Sequence, residues 1–243
     1  MEQFIRTQMI IGVEGLQTLQ DSHVIIFGIG GVGGYVAEGL ARSGVGTITL
    51  VDHDTVAESN LNRQIIALHS TLGRSKVECM KERILDINPN CVVEEKPLFY
   101  LPDTEGDFYF STCDYIVDAI DTVTAKIALV VRARQENIPI ISSMGTGNKR
   151  FPAMLEVSDL SKTSVCPLAK VMRKELKTRG ITSLKVVYSK EIPQKQPVVA
   201  EGGEVCKKRV KATPGSLAFV PSVAGMILAS EVVHDLLNKK EPI

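Results

Sequence analysis

Short apolar runs alternate with helically spaced segments along the first part of the chain. Residues 24–27 form an apolar run that ends in glycines and reads as a buried strand. Residues 32–43 follow at helical spacing, with Val36 and Leu40 on one face. Thr47–Val51 is a second β-branched run. Residues 73–86 mix apolar and charged positions as a helix does, until Asn88-Pro89 stops them. Residues 115–119 predict a strand, 124–135 a helix and 139–142 another strand. Strand, helix, strand, repeated, predicts the α/β class: a Rossmann-like, doubly wound, mostly parallel sheet.

The pattern changes after Gly147. Residues 154–157 and 185–188 are short strand candidates, 168–177 a basic helix and 222–237 a terminal helix. Residues 190–216 are rich in Pro, Gly and Lys and have no periodicity. So long a segment inside a compact domain is expected to be functional or mobile. No linker interrupts the chain, so residues 1–243 read as one domain, with 151–243 as a C-terminal extension.

The chain has 243 residues, 44% hydrophobic and 23% charged, which excludes a disordered chain, a collagen-like repeat and a coiled coil. With no Trp and only 5% aromatics, the core must be built mainly from Val, Ile, Leu and Ala. Net charge is zero, yet residues 1–144 hold 11 Lys+Arg against 19 Asp+Glu, and residues 145–243 hold 17 against 9. A basic half suggests a polyanionic partner, nucleic acid first; the alternative is a solvated, lysine-rich surface. Five scattered cysteines without a CxxC pair argue against a disulfide framework and a four-cysteine zinc site. The N-terminus leads into no signal-peptide core. The apolar stretch 217–233 is broken by Pro221, two serines and Glu231, and reads as a packed helix. The expectation is a cytoplasmic protein without a membrane partner.

Chemistry enters with Gly28-Ile-Gly30-Gly31-Val-Gly33, directly after a strand and opening a helix. Glycines let the backbone approach a phosphate, and the helix N-terminus offers N–H groups and a positive dipole end. Asp52, at the end of the next strand, suits ribose hydroxyls. The motif alone does not separate NAD from ATP. The residues that follow do: Asp52-His-Asp54, Asn60-Leu-Asn-Arg63-Gln64, Gly73-Arg-Ser-Lys76 and Asp118-Ala-Ile-Asp121. Gathered at one sheet edge they supply a ribose carboxylate, cations for phosphates and an acid for Mg²⁺. A bound dinucleotide needs no such cluster, whereas a triphosphate under attack does. Arg63 and Lys76 have a solvated surface as their alternative, and Asp121 a helix N-cap.

These motifs resemble the adenylating superfamily of ThiF/MoeB type, which includes the ubiquitin-activating enzymes and activators of the molybdopterin and thiamine sulfur carriers. The resemblance covers roughly the first 150 residues. It implies a ubiquitin-activating-enzyme-like fold, a homodimer, and acyl-adenylate formation from a carboxylate, ATP and Mg²⁺. It also implies that Gly28, Gly30, Gly31, Gly33, Asp52, Asp54, Asn60, Arg63, Gln64, Lys76 and Asp121 serve the nucleotide. Arg63, Lys76 and Asp121 would be catalytic, with Asp121 the metal ligand, and Arg6 would be supplied to the partner's site.

Carrier activators of this superfamily commonly hold zinc on two CxxC pairs; this chain has none, so no zinc is expected. Leu160-Ser-Lys-Thr, Pro167-Leu-Ala-Lys, Val187-Tyr-Ser-Lys-Glu191 and residues 215–225 instead resemble the branch that dehydrates threonylcarbamoyladenosine in tRNA. That resemblance implies a tRNA substrate, with a sulfur-transfer protein as a further partner. The expected tRNA contacts are Lys162, Lys170, Arg173, Lys174, Lys177 and Arg179, joined by Lys207, Lys208, Arg209 and Lys211. Cys206, beside three cations, is the one thiol suited to a thioester, though a tethered cyclisation needs none. The rival readings are activation of a ubiquitin-like sulfur carrier, an NAD-dependent oxidoreductase, which would leave Arg63, Lys76 and Asp121 idle, and a non-catalytic nucleotide-binding scaffold.

Overall fold

The computed structural model describes residues 2–101, 110–194 and 214–238. Seven strands form one sheet: β1 (His23–Phe27), β2 (Thr47–Val51), β3 (Val92–Lys96), β4 (Tyr115–Asp118), β5 (Ile140–Ser143), β6 (Leu155–Asp159) and β7 (Lys185–Ser189). Their order is β3-β2-β1-β4-β5-β7-β6, and every neighbouring pair is parallel except β6 with β7. The central strands β1, β4 and β5 are buried on both faces, which is why their sequences run apolar without alternation.

Helices cover both faces. α1 (Ile5–Gln20), α2 (Gly33–Ser43), α3 (Lys76–Ile87) and α6 (Phe219–Asn238) bound one core, and α4 (Val123–Gln135) and α5 (Pro167–Lys177) the other. α6 is long and apolar enough to cross a membrane by length and composition. Here its Ala224, Leu228, Val232 and Leu236 are buried in the first core, as expected of a packed helix. A cluster at the N-terminal edge of β4 and β7 fixes it further: Asp235 accepts from Tyr115 Oη (2.6 Å) and pairs with Lys185 (2.8 Å), which also meets Glu231 (2.6 Å).

The expected strands and helices are present within a few residues of their predicted bounds. α3 starts at Lys76 rather than at residue 73, because Gly73 takes φ +81° and Ser75 bridges Thr55 across a turn. Two elements escape the pattern. β3 is a half-exposed edge strand whose Val-Val-Glu-Glu-Lys shows no alternation. α1 breaks its own period at Gly12 (φ 76°) and leaves Met9, Ile10 and Val13 exposed. Of the segment 190–216, residues 195–213 lie outside the described residues.

Candidate active site

The sheet order changes direction between β1 and β4, and a cavity of about 780 Å³ opens there at the carboxyl ends of the strands. Gly28 leaves β1 at φ +88°, and a side chain on it would strike Ala119 O at 2.8 Å. At Gly33 an added Cβ would sit 1.8 Å from Gly28 O, so the turn can close only with glycine at both places. Gly30 differs: its nearest contact would be Gln64 Nε2 at 3.8 Å. Gly28, Gly30 and Gly31 all line the cavity. Close packing inside and open space at Gly30 are what a backbone cradle for phosphate requires.

β2 delivers Asp52 and Asp54 to the same cavity. Asp52 is buried; its carboxylate accepts from Ile29 N–H (2.7 Å) and Asp54 N–H (2.8 Å), joining the glycine turn to the β2 loop. Asp54 accepts from Lys76 Nζ at 2.7 Å. Burial raises the Asp54 carboxyl, but the bond and charge of Lys76, with His53 beside it, outweigh this and hold it below the usual carboxylate range. Lys76, at the start of α3, is 5% exposed. Asn60 accepts from Ala57 N–H (3.1 Å), and Arg63 donates to Ser59 O (2.8 Å) and Asn62 Oδ1 (3.0 Å). Gln64 Oε1 is buried with no protein partner among the described residues. Such an acceptor costs about 1–3 kcal/mol, and it fits a nucleotide donor entering this cavity.

β4 ends in Asp118, wholly buried, and the chain turns to Asp121, an exposed residue on the cavity wall. Asp118 accepts from Ser142 Oγ (2.5 Å), Lys126 Nζ (3.0 Å) and Ile120 N–H (3.2 Å). Lys126 also donates to Ile120 O (3.0 Å), so Ile120 is held by both its main-chain groups. Thr122, not Asp121, stands at the N-cap of α4, which removes the capping alternative for Asp121. Sequence reasoning missed Lys126 and Ser142. The available signal was a lone lysine within the apolar run Ala125-Lys-Ile-Ala-Leu129, which needs a buried partner.

The loop after β5, with Gly147, Asn148 and Lys149, supplies more of the wall, and the extension adds Cys166. Lys149 is 3% exposed and donates to Glu191 O (2.9 Å) and Ser189 O (3.3 Å). Burial pushes its ammonium below the usual lysine range, against the opposing pull of Cys166 and Glu191.

Arg6 lies exposed on α1 and is not among the residues lining this cavity. Lys162, Lys170, Lys174 and Lys177 are exposed on and beside α5. Arg173, also in the expected tRNA set, is half-buried. Its guanidinium turns inward to Thr163 Oγ1 (2.5 Å), Leu160 O (2.9 Å) and Thr163 O (3.0 Å), where it braces the turn before α5. Arg179 is engaged by Glu175, through its carbonyl (2.6 Å) and its carboxylate (3.1 Å). Lys207, Lys208, Arg209, Lys211 and Cys206 lie outside the described residues. Cys79, Cys91 and Cys166 are buried and Cys113 half-buried, as core thiols are.

Fold and site together define a nucleotide-binding α/β protein with two cations and a carboxylate gathered around a glycine turn. The sequence matches the ThiF family over residues 4–243, and the chain belongs to that family. It is 46% identical to the tRNA threonylcarbamoyladenosine dehydratase of Bacillus subtilis (strain 168) over 246 aligned residues, covering 99% of this chain and 97% of that protein. The crystal structure of Escherichia coli tRNA N6-threonylcarbamoyladenosine dehydratase, TcdA, in complex with AMP superposes with a TM-score of 0.88 at 34% identity, over 98% of this chain and 95% of that one. The ATP complex of the same protein gives 0.87. The molybdopterin-synthase adenylyltransferase of Escherichia coli (strain K12) is 34% identical over 129 residues, 53% of this chain and 51% of that protein. Similarity to that adenylyltransferase thus spans about half of the chain, and similarity to these two dehydratases nearly all of it.

Proposed function

We propose that the chain is an ATP-dependent tRNA threonylcarbamoyladenosine dehydratase. The observation that carries this is the convergence of Arg63, Lys76 and Asp121 with the glycine turn on one cavity, in a chain similar to dehydratases along nearly its full length. The free threonyl carboxylate attacks the α-phosphorus of ATP and pyrophosphate leaves. An atom of the neighbouring carbamoyl group then closes a five-membered ring on the acyl-adenylate and expels AMP. The net change is loss of one water, driven by ATP cleavage. The nucleophile of the second step is tethered beside its target, so effective molarity replaces a protein nucleophile.

Each side chain has a task in this scheme. The turn at Gly28–Gly33 admits the phosphates, and Asp52, at the end of β2, holds the ribose. Arg63 and Lys76 offset the charge that develops on the departing pyrophosphate. Mg²⁺ fits Asp121, an exposed carboxylate on the phosphate cavity, since that ion takes one or two carboxylates together with phosphate oxygens. When bound it would supply positive charge to the triphosphate oxygens.

The working unit in this reading is a homodimer. Ile5, Met9, Ile10 and Val13 of α1 are 45%, 76%, 86% and 68% exposed, an apolar surface of the kind a second copy covers. Arg6 rides on the same helix, and its always-charged fork suits a partner's triphosphate. Pro167 and Leu168 at the start of α5 line the cavity, and the exposed Lys170, Lys174 and Lys177 follow along the same helix. These lysines serve the tRNA backbone. ATP and tRNA as substrates go with a cytoplasmic site of action.

The test is turnover. Purified protein, Mg·ATP and tRNA carrying threonylcarbamoyladenosine are incubated, and the digested nucleosides are read by mass spectrometry. The expected product is a nucleoside lighter by one water, with AMP formed in step. An unchanged nucleoside from protein that binds ATP would refute the reading and favour activation of a carrier protein.

A further inference from the structure

Asn148 closes a clasp at the rim of the cavity. Its backbone takes φ +58°, a left-handed conformation that asparagine tolerates better than most non-glycine residues. Its N–H donates to Gly215 O at 2.7 Å, its Oδ1 accepts from Gly215 N–H at 2.7 Å, and its carbonyl accepts from Gln194 N–H at 2.7 Å. One residue therefore joins three stretches far apart in sequence, and none of these bonds belongs to a helix or a sheet ladder.

The joint is tight and braced. A Cβ added to Gly147 would meet Pro214 Cβ at 2.7 Å. Asn62 Nδ2 donates to Ser216 O at 3.0 Å, so the same piece of the extension is also tied to the Asn60–Gln64 segment. Behind the clasp, the Glu191 carboxylate accepts from Arg150 N–H and Phe151 N–H, both at 2.9 Å. The residues brought together, Gly147, Pro193, Pro214 and Ser216, all line the cavity.

We propose that Asn148 is a positioning residue for the tRNA substrate. By holding Gln194 and Gly215 against the loop at 145–149, it fixes the share of the wall that the extension contributes, against which the threonylcarbamoyl group is set for attack. The inference rests on the dehydratase reading. Its physical basis is the steepness of near-attack geometry, in which a misplacement of about 1 Å costs about 10²-fold in rate. Asn148 acts through its neighbours, not on the reacting atoms.

Three variants separate this from a merely structural role. Asn148→Gly keeps the left-handed backbone and the main-chain bonds but removes the Oδ1 acceptor. Asn148→Asp keeps the acceptor. Gly147→Ala presses on Pro214 without touching Asn148. The measurements are kcat/KM for the modified tRNA, the calorimetric Kd for ATP and the melting temperature. Asn148→Gly and Gly147→Ala should each lower kcat/KM for tRNA by about tenfold or more through misplacement, with the Kd for ATP and the melting temperature little changed. Asn148→Asp should recover part of the loss seen in Asn148→Gly, short of wild type because its carboxylate adds negative charge beside anionic substrates. An unchanged kcat/KM in Asn148→Gly would overturn the proposal, as would a parallel loss of ATP affinity or a failure of Asn148→Asp to rescue. Wild-type protein that binds ATP but converts no modified tRNA would overturn the dehydratase reading as well, and so is told apart from failure of the clasp alone.

Discussion

Lys126 and Asp118 meet at 3.0 Å with neither side chain exposed to solvent, directly beneath the loop that carries Asp121. A buried pair of this kind contributes little net stability when intact, but breaking it leaves a bare charge in the core. Lys126→Met should therefore destabilise the protein by about 3–5 kcal/mol, the range for stripping one partner from a buried pair. Urea unfolding measures this. The double variant Lys126→Met with Asp118→Asn should recover part of the loss, because it removes the uncompensated charge. If Lys126→Met were as stable as wild type, the pair would not brace the Asp121 loop in the way its bonds to Ile120 indicate.

Arg6 and Asp121 give a test of assembly. Each of Arg6→Ala and Asp121→Asn should lower kcat by about 10²-fold or more, as removal of a charge-stabilising group does. If Arg6 serves the partner's cavity, mixing the two variants creates dimers in which one of two sites is whole. With random exchange in a twofold dimer, activity should return to about a quarter of wild type. Mass spectrometry of intact complexes confirms that mixed dimers have formed. No recovery in their presence would mean that Arg6 does not act in trans.

Much of this site was legible because its chemistry is local in sequence. The glycine turn needs Gly33 to clear Gly28 O within one run of residues, and Asp52 stands at the end of a recognisable strand, whereas the clash that excludes a side chain at Gly28 is with distant Ala119. What stayed hidden depends on contacts between distant segments. Arg173 reads as one more cation on a basic helix, yet it turns inward because two carbonyls and a hydroxyl of the turn before α5 converge on it. Asn148 looks like a loop residue until Gln194 and Gly215 are placed beside it. α1 was unreadable because an exposed apolar face and a kink at Gly12 together abolish the helical period.

Asp159 sets an acid limit on the extension. Burial raises its carboxyl, but hydroxyls of Ser161 and Ser183 and the N–H groups of Ser161 and Leu184 outweigh this and hold it down to about 2. In the unfolded chain an aspartate titrates near about 3.9. Its contribution is thus complete above about pH 4 and is lost as pH falls toward 2, because the unfolded state binds the proton first. Asp159→Ala should cost about 1 kcal/mol at pH 7, as loss of a capping carboxylate does. The difference in melting temperature from wild type should shrink as pH falls toward 2. A gap that stays constant over that range would show that the carboxylate charge is not what stabilises the turn.

Lys162, Lys170, Lys174 and Lys177 are exposed on and just before α5, whereas Arg173 is half-buried. Contacts to phosphate release counterions, so their number is read from the salt dependence of binding and not from affinity at one ionic strength. Replacing all four with Gln should reduce the slope of log K against log salt by about 3, taking about 0.7 per phosphate contact on single-stranded nucleic acid. ATP affinity should not change, because none of the four lines the cavity. Arg173→Gln provides the contrast. It should lower the melting temperature through the lost bonds to Leu160 and Thr163 and leave the salt slope where it was. An unaltered slope in the fourfold variant would move the tRNA surface away from α5, and a reduced slope in Arg173→Gln would restore that residue to it.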